Sequence, residues 1–113
     1  MMVSLVAGPA VEPADQSLTG RVETLPGGRV DVVVVGEVDA SSQQQLGSLL
    51  CAAWAEHPVR LVVDLRGVTF FGLSALRVLA VARARARSGG TAFEVLSAGS
   101  GVARVLRFLD DLP

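Results

Sequence analysis

The 113-residue chain contains no lysine, asparagine, isoleucine or tyrosine, and has one cysteine, one histidine and one tryptophan. Each shortage excludes something. A single cysteine, Cys51, rules out an internal disulfide and fits a reducing compartment. One cysteine and one histidine, His57, are too few for a zinc site of ordinary type. A catalytic triad would have only His57 as its base, and the pattern puts that residue at a helix end, where it suits the helix dipole. A net charge of −1 supplies no basic field for a nucleic-acid partner. No apolar run reaches the length of a membrane span, and no basic residue precedes Arg21, so the opening MMVSLVAGPA lacks the form of a signal peptide. The expectation is a cytoplasmic protein with no direct membrane insertion. The four missing residue types have A/T-rich codons, which points to a G+C-rich, bacterial genome. Arginine then stands wherever lysine would, and the arginines of the middle helix read first as a solvated face.

What is present is aliphatic. Half of the residues are apolar, enough for one compact domain and too few residues for two. Residues 1–18 lack periodicity and contain Gly8, Pro9 and Pro13, which reads as a flexible leader before a domain over 19–113. Arg21–Leu25 reads as a short strand, Pro26-Gly27-Gly28 as a turn, and Arg29–Val38 as the second strand of a hairpin. Its four consecutive valines, Val32–Val35, predict a strand covered on both faces. Asp39, Ser41 and Ser42 are candidate N-caps, with capping-box spacing at Ser41…Gln44 and Ser42…Gln45. Leu46, Leu49, Leu50, Ala53 and Trp54 then give a helix one apolar face, and Pro58 stops it. Leu61–Leu65 is a buried strand feeding a helix to about Ser88, closed by Gly89-Gly90. Thr91–Ser97 is a further strand, and Val102, Val105, Leu106 and Leu109 mark a last helix.

The order β-β-α-β-α-β-α predicts an α/β fold, a single layer of mostly parallel sheet packed with helices. The loop Thr69–Ala75 falls at the carboxyl end of the sheet, where α/β proteins place their binding sites. Apart from Thr69, Ser74 is its one polar side chain, among Phe70, Phe71, Gly72, Leu73 and Ala75. That composition suits docking of another protein better than catalysis. Three further features have bland readings. Cys51 is a small packing residue in mid-helix. Glu37 and Asp39 form a solvated rim and not a metal site. Gly99-Ser100-Gly101 matches no dinucleotide or phosphate-loop pattern, and Ser100 reads as the last helix's N-cap. No cofactor is expected, and no enzyme activity.

Three stretches in register carry a resemblance to a known family. Val35-Gly36-Glu37-Val38-Asp39 looks like the hydrophobic-G-E-hydrophobic-D element of STAS domains. Leu61–Phe71 is similar to their strand and turn before the signature loop, and Ser97–Leu109 to a late helix. The resemblance covers about residues 20–112. It implies a STAS-like domain of the anti-sigma factor antagonist type, which binds an anti-sigma factor of the serine-kinase kind in partner-switching control of transcription. Phosphorylation of a serine at the start of the middle helix abolishes such binding, because a dianion at a snug apolar interface must be desolvated. The family loop reads D-S-S-G-L; here it is Gly72, Leu73, Ser74, Ala75 and Leu76. The acceptor position is Leu73, and Ser74 is the remaining candidate, so phosphorylation at the usual position is not expected. The implied partner-binding residues are Gly36, Glu37, Asp39, Ser41, Phe71, Gly72, Leu73, Ser74 and Leu76. The alternative is a STAS domain serving as a subunit of a membrane transport assembly or as a ligand sensor. The domain also reads as shortened at its C-terminus relative to the family, which makes Thr91–Ser97 a sheet edge and predicts either a homodimer or a protected edge.

Overall fold

The computed structural model describes residues 2–4, 18–97 and 99–111. Its strands are β1 (Met2–Ser4), β2 (Leu18–Leu25), β3 (Arg29–Val38), β4 (Arg60–Phe71) and β5 (Ala92–Ser97). The helices are α1 (Gln43–Trp54), α2 (Leu73–Gly89) and α3 (Ser100–Leu106), the last continuing as a 3₁₀ turn over Arg107–Asp111. The sheet runs β1-β2-β3-β4-β5, with β1/β2 and β2/β3 antiparallel and β3/β4 and β4/β5 parallel. The element order expected from residue 19 onward is therefore the observed one. The leader needs correction in part: Met2–Ser4 pairs with Arg21–Glu23, and Leu18 already belongs to β2. A three-residue strand is too short for periodicity to reveal. Residues 5–17 lie outside the described set.

All three helices join one core. Val30, Val32 and Val34 of β3 and Leu61, Val63 and Leu65 of β4 share a cluster with Leu46, Leu49 and Leu50 of α1, Leu76 and Leu79 of α2, and Val102 of α3. The opposite face of the sheet carries charge instead. Arg21–Glu23, Arg29–Asp31, Arg60–Glu94 and Arg66–Asp64 pair there, and Val62 is buried beneath this lattice without joining the core cluster. The expected double coverage of Val32–Val35 is thus corrected. Val32 and Val34 are buried, but Val33 is half-buried and Val35 is exposed, because helices cover only one face. A run of β-branched residues fits either environment, and period-2 polarity is hidden when both faces hold valine.

Helix ends follow local chemistry. Gly90 closes α2 in the left-handed conformation (φ 73°), and the Gly90 and Thr91 N–H groups donate to the carbonyls of Arg87 and Ala86. This is the Schellman arrangement that glycine permits. At α3 the cap position is Gly99 and Ser100 is the first helical residue, so the helix starts one position earlier than the sequence suggested.

Candidate functional site

The parallel pairing of β3 and β4 places their carboxyl ends side by side. Glu37 stands beside Phe70 and Val38 beside Phe71, and the Gly72 N–H donates to the Val38 carbonyl at 2.8 Å. The loops after the two strands therefore start from one edge. The first, Asp39–Ser42, leads into α1; the second is the single residue Gly72, which caps α2. Gly36 has φ 110°, a left-handed value that a β-carbon makes unfavourable, so the element before Asp39 requires glycine there.

The register shifts between Gly36 and Glu37, leaving Thr69 as an extra residue on β4. Together with an earlier shift between Val33 and Val35, it leaves Phe71 on the core face shared by Leu61, Val63 and Leu65, and Phe70 on the outer one. Phe70 is 52% exposed on the same face as Glu37, whereas Phe71 is 2% exposed in the core. Phe71, expected among the binding residues, is therefore a core residue. Leu76 is also buried, one turn into α2 on the face packed against the core. Neither side chain is open to solvent at this edge. Phe70 holds the exposed position instead.

Leu73 opens α2 with 66% of its surface exposed, and Ser74 beside it is half-buried. Glu37 is exposed, and Gly72 and Asp39 are partly so. A β-carbon at Gly72 would meet the Val38 carbonyl oxygen and the Phe70 ring at 3.6 Å, an ordinary contact, so the position does not require glycine on steric grounds. Glu37, Phe70 and Leu73 thus present an acid and two apolar side chains from one sheet edge.

Asp39 is more than a rim charge. Its Oδ1 accepts from the Ser41 N–H (2.9 Å), the Ser41 hydroxyl (2.6 Å) and the Ser42 N–H (3.2 Å). These bonds, the Ser41 hydroxyl foremost, hold its carboxyl below the ordinary carboxylate range. The expected capping boxes do not form. Ser42 is buried at the N-cap position, but its hydroxyl accepts from the Asp39 N–H and reaches the Glu37 carbonyl, tying the helix start back to the strand end. Gln45 donates instead to the Leu18 carbonyl on β2. Ser42 was visible in the sequence only as a cap candidate; its part as the clasp of this loop depends on the strand end beneath it.

Chemically the edge offers hydroxyls and carboxylates without a nitrogen base. His57 follows the far end of α1, about 18 Å along the helix from its start. Among the described residues no group of three or more His, Cys, Asp or Glu side chains is placed to hold a metal ion, and no helix is long and apolar enough to cross a membrane.

Known proteins agree with this architecture. The family described as "Mlab, STAS domain" matches residues 23–110. An anti-sigma factor antagonist from Mycobacterium paratuberculosis superposes with a TM-score of 0.75 at 31% identity, over 83% of this chain and 79% of that one. At lower identity the likeness is one of fold. An antisigma-factor antagonist STAS domain from Rhodobacter sphaeroides gives a TM-score of 0.60 at 18% identity, over 70% of this chain and 85% of the other. The phosphorylated form of the Bacillus cell fate determinant SpoIIAA gives 0.65 at 13%, over 80% and 82%. No curated protein matches the chain significantly. The mixed sheet, the helices on one face and the family match over most of the sequence lead to one assignment: the protein belongs to the STAS domain family and is similar to its anti-sigma factor antagonists.

Proposed function

We propose that this protein is a bacterial, cytoplasmic, non-enzymatic antagonist that binds an anti-sigma factor of the serine-kinase type, and that it does so without control by phosphorylation. The observation that carries the reading is the chemistry of the sheet edge. The position where the family loop bears its acceptor is Leu73, an exposed apolar side chain beside Phe70 and Glu37. A buried leucine contributes to an interface what a phosphoserine would oppose. Ser74 is a poor substitute acceptor, because adjacent helical side chains point about 100° apart. A phosphate near this helix start would be favoured electrostatically, so aim and access are the obstacle.

The test uses the purified protein, the anti-sigma kinase of the same genome, and ATP. Binding should be equal with and without ATP, and mass spectrometry should find no phosphate on Ser74. Ser74→Ala should change neither result. Leu73→Ser combined with Gly72→Asp should restore phosphorylation and ATP-dependent release. Stoichiometric phosphate on Ser74 with loss of binding would overturn the unregulated reading, and absence of binding to any anti-sigma factor would overturn the antagonist reading itself.

A further inference from the structure

The outer surface of α1 and α2 is built differently from the rest of the molecule. Between the helices runs an apolar groove of about 270 Å³, with Gly47, Cys51 and Trp54 on one wall and Val78, Val81 and Arg85 on the other. Val81 is 70% exposed at its rim, and the Arg85 guanidinium lies 4.8 Å over the Trp54 ring. Gly47 opens the groove, since a β-carbon there would meet nothing within 4 Å. A glycine in mid-helix costs stability, and nothing in the local backbone requires it.

The charge around this groove is of one sign. α1 contains no charged residue, and α2 contains Arg77, Arg83, Arg85 and Arg87 with no acid, in a chain whose net charge is −1. A G+C-rich genome explains arginine in place of lysine; it does not explain the missing carboxylates. Solvated helices commonly set acids one turn from their bases, and this one does not. The sheet arginines Arg21, Arg29, Arg60 and Arg66 each pair with a carboxylate. Among the described residues, Arg77, Arg85 and Arg87 form no such pair. Arg77, Val81 and Arg85 follow at i, i+4 and i+8, an arc of about 80° beside the groove.

We propose that the α1–α2 groove is a second docking surface, which takes an amphipathic helix of a partner protein with carboxylates along its flank. The apolar stripe of such a helix would lie over Val78, Val81 and the Trp54 edge, and its acids would meet Arg77 and Arg85, a groove mode of recognition with charge setting the register. A second copy of this chain fits less well, because a two-fold would bring like-charged α2 helices together. This surface lies along the helices, apart from the strand-end loops, and its inference does not depend on the antagonist reading.

The probe is a designed amphipathic peptide of about five helical turns with a leucine stripe flanked by glutamates, compared with the same peptide flanked by lysines. Trp54 is the only tryptophan and Cys51 the only cysteine, so both report from within the groove. The glutamate peptide should shift Trp54 emission and slow Cys51 alkylation, and the lysine peptide should bind at least about tenfold more weakly. Val81→Glu and Gly47→Leu should each weaken binding by about tenfold or more while circular dichroism stays unchanged, and Leu73→Glu should leave it intact. Absence of a response to the glutamate peptide, equal binding of both peptides, or full binding by Val81→Glu would overturn the proposal. So would self-association abolished by Val81→Glu, or a preference for anionic lipid vesicles over the peptide.

Discussion

Phe70, Phe71 and Leu73 lie within four positions of one another and meet three different surroundings. Phe71 fills the core beside Val38, so Phe71→Ala should cost about 3–5 kcal/mol in denaturant unfolding. Leu73 is mostly exposed, and Leu73→Ala should change stability by less than about 0.5 kcal/mol while weakening the proposed complex with an anti-sigma factor by about tenfold. A pair of adjacent phenylalanines shows that one faces in and one faces out. The two register shifts along β4 offset one another, so the alternation of Leu61, Val63 and Leu65 carried forward sets Phe71 inside, and only its place beside the signature loop had put it among the binding residues. Leu76 illustrates the same difficulty, because its place in a signature loop says nothing of the face it takes once the helix has begun. Gly47 yields a further prediction at this scale. Gly47→Ala should raise stability by about 0.5–1 kcal/mol, read as a higher denaturant midpoint with unchanged slope, since its β-carbon enters open space.

The turn between β3 and α1 acts as a unit. Ser42 is buried, and its hydroxyl joins the Asp39 N–H to the Glu37 carbonyl. Ser42→Ala leaves those backbone groups without that partner, and should lower stability by about 1–3 kcal/mol in denaturant unfolding. The same unit is sensitive to acid. Asp39 is held below its ordinary range by the Ser41 hydroxyl and the Ser41 and Ser42 amides, so the charged form is the one the folded loop favours. Its contribution is present above the ordinary carboxylate pKa of about 4 and is lost as the pH falls through the depressed folded value. Asp64 behaves in the same sense, with the Arg66 guanidinium as its main cause. Protection of the Ser41 and Ser42 amides, taken relative to the intrinsic exchange rate at each pH, should therefore fall on acidification below about pH 4, and Asp39→Asn should remove most of that dependence. The helix itself was legible from Leu46, Leu49, Leu50 and Ala53. The capping pattern was not, because Ser42 and Gln45 find better partners on β2 and β3, which local spacing cannot reveal.

Across the whole molecule, the order of elements was readable because strands and helices alternate and Gly or Pro separates them. The single helical layer was not readable, since four valines in succession suit a strand with one open face as well as a fully enclosed one. Among the described residues the sheet ends at β1 on one side and at β5 on the other. β1 is three residues long, whereas β5 offers six residues paired on one side to β4. It has no proline to block pairing, its one charge, Glu94, is tied to Arg60, and its inward residues Phe93 and Val95 stay only partly buried. Such an edge favours addition of another strand, and two copies related by a two-fold can pair β5 antiparallel to β5 and continue one sheet through both. Sedimentation should accordingly show a concentration-dependent dimer. Leu96 lies on the charged face, in register with Asp64, and Leu96→Lys places a cation on the edge without entering the core. That variant should remain monomeric with an unchanged circular dichroism spectrum, whereas Val81→Glu on the helical face should still dimerise. A wild-type chain that stays monomeric at every concentration would show that β5 is protected as it stands.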